Sequence, residues 1–349
     1  MNSSNASEPR AKLRAAIVGT GLSGLRAAEI LKASETWSVH AFDKARGVGG
    51  RTSLRRADAH AFDHGAQYFT ARDAGFRTRV DRWLAAGIVA PFDGPLAVIR
   101  EKGQLEFSDA ATPERFVGVP GMNAMAKSMV DGLEVSTQAR VTSLERSPGE
   151  QSDRWTLRFI DGREESGFDV VLVTTPAAQA VPLVAASAPL RAAADAVRMS
   201  PCWAAMLAFD GRYDVPFDGA FIHDGPLSWA CRNSSKPGRP EGDAWVLHAT
   251  PEWTTAHLKS SPEEVTAALV EALGEAAGAA PPARIHSSAH RWMYSQAQPP
   301  REDGALFDAQ LRLGVAGDWL HGSKVQGAWL SGEALGKQVL AWSESRSGA

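Results

Sequence analysis

The 349-residue sequence predicts an α/β fold with two intermeshed regions, and three observations support that prediction. Near the start, a short apolar run leads through a glycine-rich turn into a segment with helical periodicity. Near the end, the same order of apolar run, glycine and periodic segment occurs again. Between them, several apolar stretches alternate or run like the strands of an antiparallel sheet. This order predicts one sheet assembled from distant parts of the chain and a second domain inserted between them.

The composition is that of an ordinary globular protein, with 44% hydrophobic and 22% charged residues and a formal net charge of −3. Such a charge gives no electrostatic reason to expect a nucleic acid partner. Two cysteines without a CxxC pattern favour a reducing compartment without disulfides. Residues 1–11 are polar and predict a flexible leader, and the most apolar window is interrupted by prolines. We therefore expect a cytoplasmic protein that binds no membrane, while its oligomeric state stays open.

The first strand–turn–helix unit contains the sequence GTGLSG after the apolar run at residues 15–18. Gly19 permits a tight turn, Gly21 lets a pyrophosphate approach the backbone, and Gly24 lets the helix pack closely on the strand. Unpaired N–H groups at the start of the helix favour a phosphate. The residues predicted to bind there are Gly19, Gly21, Ser23 and Gly24.

A second predicted strand, WSVHAFD, ends in Asp43, 24 residues after Gly19. An acid about 20 residues beyond the glycine turn can accept hydrogen bonds from the ribose hydroxyls of a dinucleotide. The glycine pattern alone is weak, because a glycine-rich turn without a ligand is the default reading. The flanking strand, helix and acid together favour a dinucleotide site.

The stretch KARGVGGR follows Asp43 directly, and it predicts a second loop over the same ligand. Lys44, Gly50 and Arg51 belong to this loop, and Arg51 would balance the charge of a pyrophosphate. The alternative is a solvated basic loop without a ligand. Because a plain NAD-binding unit needs no such loop, the stretch favours FAD as the cofactor.

The end of the chain predicts a return to the cofactor. A strand runs into Gly317 and Asp318, and a helix starts at about Gln326. Asp318 can bind ribityl hydroxyls, and the helix N-terminus can face the pyrimidine edge of a flavin. A terminal helix that simply packs on a sheet is compatible with the same pattern. The cofactor residues predicted in this segment are Gly317, Asp318, Lys324, Val325, Gln326 and Gly327.

Two contacts are predicted in mid-chain: Val141 in a strand beside the adenine, and Thr175 in a turn at the carboxyl edge of the sheet. The predicted fold is thus a Rossmann-type FAD-binding domain, discontinuous in sequence, with a second α+β substrate domain that carries a mostly antiparallel sheet. The cofactor domain is predicted at 12–75, 125–180 and 285–345, and the substrate domain at 76–124 and 186–284.

Four motifs carry a resemblance to a known family: DKARGVGGRTS, DHGAQYFTARD, AHRWMYSQ and AGDW followed by VQGAWLSGEALG. Together they resemble bacterial renalases, a branch of the FAD-dependent amine-oxidase-like flavoproteins with the p-hydroxybenzoate hydroxylase fold. The resemblance implies an oxidase that returns the 2- or 6-dihydro isomers of NAD(P) to NAD(P)+ by hydride transfer to FAD. Oxygen, reduced to hydrogen peroxide, is the implied acceptor.

The same resemblance implies two sets of site residues. The implied cofactor contacts are Leu22, Asp43, Arg51, Ala66, Gln67, Val141, Asp318 and Val325. The implied substrate residues include Tyr68, Phe69, Thr70, Ala71 and Arg72. Arg72 is either a contact to a substrate phosphate or a member of a surface ion pair.

Two further features of the sequence fit these implications. Only one glycine fingerprint is present, so a nicotinamide donor would enter the flavin pocket itself as the substrate. No cysteine lies near the C-terminal flavin segment, so the FAD should be bound non-covalently.

The pocket should be lined by aromatic and hydrogen-bonding side chains, because hydride transfer from a dihydropyridine needs orientation rather than a catalytic triad. No catalytic residue is assigned. The further pocket candidates are Trp203, Trp229, Asn233, His248, Trp292 and Tyr294. Plain core packing is the alternative for any one of these tryptophans.

His286 and His290 are four residues apart but lack the glutamate of a zinc-binding HExxH motif, so no metal site is predicted. Two rival functions stay open. One is an oxidase of true amines, and the other is a flavoprotein that serves only as a redox sensor.

Overall fold

A computed structural model describes residues 12–107, 113–146 and 154–347, so the predicted leader lies outside the described residues. The strands are β1 (Leu13–Val18), β2 (Trp37–Phe42), β3 (Arg55–Ala57), β4 (His60–Phe62), β5 (Val89–Pro91), β6 (Leu96–Ile99), β7 (Leu105–Phe107), β8 (Phe116–Gly118), β9 (Glu134–Ser136), β10 (Val141–Arg146), β11 (Trp155–Phe159), β12 (Glu164–Phe168), β13 (Val170–Val173), β14 (Met199–Phe209), β15 (Gly219–Ile222), β16 (Leu227–Arg232), β17 (Asp243–Ala249), β18 (Arg284–Ala297), β19 (Leu306–Asp308) and β20 (Leu313–Val315). The helices are α1 (Leu22–Lys32), α2 (Ala74–Ala85), α3 (Ala124–Ser128), α4 (Ala177–Leu183), α5 (Ala188–Asp195), α6 (Pro251–Ala256), α7 (Pro262–Ala277) and α8 (Val325–Ser347).

A six-stranded sheet with the order β19-β20-β13-β1-β2-β9 forms the first region. Its neighbouring strands are parallel except for β19, which pairs antiparallel with β20. Strand β1 lies in the middle and is apolar throughout its buried part, as expected for a parallel strand covered on both faces. The sheet combines strands separated by almost 300 positions of the chain, which confirms the prediction of a discontinuous sheet.

The two faces of this sheet are covered by different layers. On one face, Ala15 and Ile17 pack with residues of α1 and α8, including Leu31 and Leu335. On the other face, the alternate residues of β1 pack with a three-stranded sheet, β10-β11-β12, whose Trp155 is almost fully buried. Successive side chains of a strand point to opposite faces, which explains this division.

Helices α1 and α8 approach each other closely because small residues lie between them. A side chain on Gly332 would place its Cβ 2.0 Å from the carbonyl oxygen of Ser23. A side chain on Gly336 would place its Cβ 2.9 Å from Ile30. The predicted C-terminal helix is confirmed, and its first half packs along α1 from Ser23 to Ile30.

A seven-stranded sheet with the order β18-β14-β17-β16-β15-β6-β7 forms the second region and is mostly antiparallel. Its outer face packs on α7, where Leu207 lies in one cluster with Val265 and Leu269. Helix α7 begins with a capping box between Ser261 and Glu264 and ends at Gly278, which has a φ of 70°. The mostly antiparallel sheet predicted for this region is confirmed.

The domain boundary predicted at residue 285 falls inside β18. This strand pairs with β14 from Met199 to Phe209, so residues 284–297 belong to the seven-stranded sheet. The HRWMY motif is therefore part of the second region, where its strand lies at the edge of the sheet. The reason is the long antiparallel ladder with β14, which no local pattern in β18 reveals. Within the described ranges, no helix is both long and apolar enough to cross a membrane.

Candidate functional site

The carboxyl ends of four parallel strands meet at one edge of the six-stranded sheet. Strand β1 ends before Gly19, β2 before Asp43, β13 before Thr174, and β20 shortly before Gly317. Ligands of open α/β sheets bind at this edge, where connections leave in different directions. The structure thus brings together residues that are far apart in the sequence.

The three glycines of the first turn differ in their backbone conformation and in the space around them. Gly19 has a φ of 111°, and a Cβ on Gly24 would lie 2.0 Å from the Gly19 carbonyl oxygen. A Cβ on Gly21, in contrast, would meet no atom within 4 Å. Gly19 and Gly24 therefore allow the turn itself, and Gly21 leaves space beside it.

Helix α1 starts directly after Gly21 and presents an uncapped N-terminus to that space. No side chain caps it, and no acid lies in its first turn. The hydroxyl of Ser23 is buried and has no hydrogen-bond partner among the residues that the structure describes. Free N–H groups, an orphan hydroxyl and a positive helix end together suit a phosphate group.

The second glycine loop lies against the first, as the KARGVGGR stretch predicts. The amide of Gly49 donates a 2.9 Å hydrogen bond to the carbonyl oxygen of Thr20. Gly49 and Gly50 have φ values of 112° and 55°, which favour glycine. A Cβ on Gly50 would lie 3.5 Å from the Cα of Gly21, so both loops border one space.

Asp43 is held in place by the first turn. Its Oδ2 accepts hydrogen bonds from the amide and the hydroxyl of Thr20, at 2.8 and 2.6 Å. Its Oδ1 accepts one from the amide of Ala45 at 2.8 Å. A carboxylate oxygen can accept more than one bond, so Oδ1 can also serve a ribose. Lys44 donates to Gln179 beside it, and burial, with Arg140 nearby, lowers the pKa of Lys44.

Thr174 and Thr175 close the edge after β13. The hydroxyl of Thr174 donates to the carbonyl oxygens of Val18 and Gly19, and it would collide with a Cβ on Gly19. The hydroxyl of Thr175 is buried, and within the described part of the chain it has no hydrogen-bond partner. Val141 is also buried, within the core beneath the same edge. Thr174 supports the turn and Thr175 leaves a free polar group, whereas only Thr175 was a predicted contact.

Arg51 and Asp318, predicted to contact different parts of one cofactor, form an ion pair with each other. The guanidinium donates two hydrogen bonds to the carboxylate, at 2.9 and 2.5 Å, and a third to the carbonyl oxygen of Ser295 at 2.8 Å. Gly317 precedes Asp318, and a Cβ there would press on the ring of Trp319. Arg51 remains 30% exposed, so its face is open to a ligand.

The start of α8 is tied to the segment after the GAQYFTARD motif. The side-chain oxygen of Gln326 accepts hydrogen bonds from the amides of Arg72 and Asp73, at 2.7 and 3.0 Å. A Cβ on Gly327 would lie 1.7 Å from the carbonyl oxygen of His321, so this glycine is required for packing. Val325 is partly exposed and Lys324 is exposed at the rim. Arg72 is exposed as well, with only its backbone engaged.

Burial alternates along the segment from Ala66 to Thr70, which follows the buried residues Asp63 and His64. Ala66, Tyr68 and Thr70 are partly exposed, whereas Gln67 and Phe69 are buried. Such alternation places the two sets on opposite sides of an extended chain. The amide of Ala66 also donates to the carbonyl oxygen of Arg51 at 2.8 Å, which fixes the segment beside the second glycine loop.

A buried polar cluster lies behind this segment. Asp63 accepts hydrogen bonds from Lys236 and Arg239, and both ion pairs are fully buried. Lys236 also donates to the side-chain oxygens of Gln67 and Asn233, each at 3.1 Å. Burial acts to raise the pKa of Asp63, but the two cations and an N–H donor outweigh it and lower that pKa. One carboxylate with two cations leaves a net positive charge in the cluster.

The inner face of the seven-stranded sheet covers the segment with one cross-strand row of rings. His290 faces Ala204, Ala204 faces His248, His248 faces Trp229, and Trp229 faces Phe221. Neighbours across strands lie about 5 Å apart, so the row forms a continuous wall.

His64 fits into this wall at the alanine. Its ring contacts His290 and Trp292, with centroids 5.1 and 5.0 Å away. Its carbonyl oxygen accepts hydrogen bonds from Nε1 of Trp292 at 2.9 Å and, at 3.1 Å, from Nε2 of His248 in the tautomer that donates there. His64 thus contacts both row neighbours of Ala204, the member of the row with a small side chain.

The histidines of this wall are neutral at physiological pH. Burial, together with nearby His290, Arg55 and His248, lowers the pKa of His64 to about 3. Burial also lowers the pKa of His248 to about 4 and lowers that of His290. The wall is therefore uncharged, aromatic and rich in hydrogen-bonding groups.

Some of the predicted substrate residues meet at the space between the wall and the segment that ends at Thr70, and others do not. We call this space the chamber. Tyr68, Trp229, His248 and Trp292 meet there, and Tyr294 lies two residues further along β18. Trp203 packs on the outer face of the sheet, and its Nε1 donates to the carbonyl oxygen of His257. Phe69 belongs to a buried cluster, and Asn233 to the polar cluster. Thr70 and Ala71 are partly exposed.

Several residues of the site were not predicted: Asp63, His64, Arg115, Thr174, Ala204, Phe221, Lys236, Arg239 and His290. One signal was available for Lys236 and Arg239, since NSSKPGR places two bases near the predicted contact Asn233. The row partners Ala204 and Phe221 have no local signal, because only strand register brings them together. The described residues contain no group of metal-binding side chains.

Comparisons with known proteins agree with this architecture. The family of NAD(P)-binding Rossmann-like domains matches residues 17–82. A putative protoporphyrinogen oxidase from Exiguobacterium sp. 255-15 has a TM-score of 0.74 at 14% identity, with 95% of this chain and 99% of that one covered. A triple mutant of putrescine oxidase, made to redesign cofactor binding, has a TM-score of 0.68 at 13% identity, with 95% and 99% covered. At these identities the likeness shows the fold: a mixed α/β protein with a Rossmann-like domain.

Proposed function

We propose that the strand-end edge holds FAD without a covalent bond and that the protein is an FAD-dependent oxidase of misreduced dihydronicotinamide dinucleotides. The residues present fit such a cofactor. Gly21 leaves room for a pyrophosphate, α1 presents an uncapped N-terminus, and the hydroxyls of Ser23 and Thr175 lack partners. The likeness in fold to oxidases such as putrescine oxidase supports a flavin oxidase as the general class.

Each end of the extended cofactor has residues to receive it. Asp43 would bind the adenosine ribose, with Val141 beside the adenine. Arg51, 30% exposed, would keep its bonds to Asp318 and Ser295 and add a contact with the pyrophosphate. Asp318 would bind ribityl hydroxyls, and the N-terminus of α8 at Val325 would face the ring. FAD would supply the hydride acceptor and pass the electrons to oxygen, giving hydrogen peroxide.

The charge of the chamber is the observation that carries the substrate assignment. The histidines of the wall are neutral, and the polar cluster of Asp63, Lys236 and Arg239 has a net positive charge. A cationic amine would be repelled by such surroundings, because burial strengthens charge interactions. A neutral dihydropyridine ring with a carboxamide, on an anionic dinucleotide, fits them better. A true amine oxidase is therefore the second choice.

The protein residues act by orientation. Trp229 and Trp292 offer flat walls against which a nicotinamide ring can stack. The exposed guanidinium of Arg72 at the rim would meet a substrate phosphate. Loss of a hydride from a dihydropyridine leaves an aromatic cation and releases no proton, so no general base is required. The 2- or 6-dihydro isomers of NAD(P) are the proposed substrates, and NAD(P)+ the product.

Aerobic turnover tests this proposal. Purified protein would be mixed in turn with the 2-dihydro isomer, the 6-dihydro isomer, ordinary NADH and a panel of amines that includes putrescine. We expect peroxide and NAD(P)+ in equal amounts from at least one misreduced isomer, and far slower turnover of NADH and amines. Aldehyde formation from an amine, without turnover of the isomers, would assign the protein to the amine oxidases instead.

A further inference from the structure

Arg115 differs from the other two buried arginines of the described chain. Arg115, Arg232 and Arg239 are 8%, 2% and 9% exposed. Arg232 pairs with Asp243, and Arg239 pairs with Asp63. Apart from the hydroxyl of Tyr68, no side chain in the described ranges pairs with the guanidinium of Arg115. A buried cation with five N–H donors and no carboxylate is costly unless a ligand completes it.

Strand pairing aims Arg115 toward the open side of the segment that ends at Thr70. Phe69 and Phe116 exchange two backbone hydrogen bonds, at 2.9 and 2.8 Å. In such an antiparallel pair, the residues on either side of the two partners share the opposite face. Arg115 therefore lies on the same face as Tyr68 and Thr70, which are the partly exposed residues of the segment.

Aromatic rings complete the surroundings of this guanidinium. The Cζ of Arg115 lies 5.8 Å from the ring centroid of Tyr68, and that ring lies 5.7 Å from the ring of Trp229. Burial raises the pKa of Tyr68, and Arg115 opposes that effect only in part, so the phenol stays protonated at neutral pH. Nε1 of Trp229 is buried and has no hydrogen-bond partner among the described residues. A guanidinium without a carboxylate partner and a free indole N–H thus flank one tyrosine ring.

We propose that Arg115, with Tyr68 and Trp229, forms a subsite that binds the carbonyl oxygen of a carboxamide or carboxylate group attached to a planar ring. The inference rests on the proposed function for its natural ligand, which is then the carboxamide oxygen of the dihydronicotinamide. The guanidinium supplies the hydrogen bonds and the charge, and the two rings select a flat ligand. Arg115 is then a specificity-determining residue: it recognises the carbonyl group and takes no part in the transfer of the hydride.

Benzoate and benzamide are the probes for this subsite, because they carry a carboxylate or a carboxamide on the same ring and no nucleotide. Their dissociation constants would be measured from the change in the visible spectrum of the FAD-loaded protein. We expect both to bind, benzoate more tightly because Arg115 has no carboxylate partner. Replacement R115M should weaken both by roughly 10- to 100-fold, as expected for loss of a hydrogen bond to a charged donor.

Two further variants separate recognition from damage to the fold. R77M removes a neighbouring arginine whose ion pairs with Asp81 and Glu114 are exposed, and it should leave both dissociation constants unchanged. R115K keeps the charge but loses the planar fork, and it should restore part of the benzoate affinity and less of the benzamide affinity. Dissociation constants for R115M equal to those of the wild type would overturn the subsite.

The probes keep this test apart from the proposed function. If dihydronicotinamides fail to react while benzoate binding still depends on Arg115, the subsite stands and its natural ligand belongs to another carbonyl-bearing ring. If the isomers react and R115M raises neither their KM nor the dissociation constant of benzamide, the subsite is wrong and the function stands. If R115M binds no FAD, the same titration is followed by the tryptophan fluorescence of the protein, to which Trp229 contributes. R77M without FAD is then the control.

Discussion

The strand-end edge of the six-stranded sheet and the inner face of the seven-stranded sheet are built in different ways. At the edge, the ligand space is shaped mainly by backbone: glycines without side chains, helix N–H groups and carbonyl oxygens. On the inner face, it is shaped by rings that five strands bring into one row. A substitution at one of the few glycines of the backbone site therefore blocks the site, whereas the rings of the wall can be replaced one at a time.

The largest effect is expected at Gly21. A valine there would enter space that is empty of protein atoms, so the apoprotein should fold normally. The same side chain would occupy the place of the pyrophosphate, and we expect complete loss of FAD from the purified G21V protein. FAD content per chain, together with the unfolding curve of the apoprotein, measures both parts.

The matched change G24A should do the reverse. Its Cβ would lie 2.0 Å from the Gly19 carbonyl oxygen, so the cost falls on the fold, at about 3 kcal/mol of unfolding free energy. A G21V protein that retains a full complement of FAD would show that the glycine turn does not hold the cofactor.

The second effect is on stability, through the charge of the buried cluster. Asp63→Asn keeps the shape of the side chain but leaves Lys236 and Arg239 without a carboxylate. We expect a loss of about 3–5 kcal/mol in the free energy of unfolding, measured by denaturant titration. The exposed pair of Asp81 and Arg77 provides the control, since Asp81→Asn should cost less than about 1 kcal/mol. Equal losses of unfolding free energy in the two variants would show that the buried cluster stabilises the fold no more than the exposed pair does.

The third effect distinguishes the two faces of one sheet. Trp292 lies on the inner face and donates to His64, whereas Trp203 lies on the outer face and donates to His257. Trp292→Phe should slow reduction of the bound flavin by the isomers by about tenfold, through misplaced substrate, with FAD retained. Trp203→Phe should leave that rate within twofold. The opposite ranking of the two rates would place the substrate on the other face.

The smallest effect is a dependence of stability on pH. The pKa of His64 is about 3 in the fold, against an ordinary value of 6.5. As the pH falls below 6.5, the unfolded chain takes up this proton and the folded chain does not, so stability decreases toward acid pH. The slope from this one histidine reaches about 1.4 kcal/mol per pH unit.

His64→Phe isolates that slope, because it keeps a ring against Trp292 and removes the titrating group. Unfolding free energies between pH 7 and pH 5 should therefore fall less steeply in this variant than in the wild type. Parallel curves for the two proteins would mean that His64 takes up its proton normally in the fold.

The comparison also explains what the sequence could predict. The glycine turn, Asp43 and the start of α8 follow strand ends directly, so a local pattern reveals both their structure and their position at the edge. The row of rings depends on the register of long antiparallel ladders, so Ala204 and Phe221 gave no signal, and Trp203, a predicted pocket residue, packs in the core on the outer face. The sequence did not single out Arg115, because the feature that distinguishes this residue is a guanidinium without a carboxylate partner in the described fold.

The most direct test of the account is anaerobic stopped-flow reduction of the FAD-loaded protein. The flavin absorbance would be followed after mixing with the 2- and 6-dihydro isomers of NAD(P), with ordinary NADH and with putrescine. We expect rapid bleaching of the flavin by at least one isomer and little change with NADH or putrescine. Rapid bleaching by putrescine alone would leave the fold and the cofactor edge in place and would contradict the proposed function of the chamber.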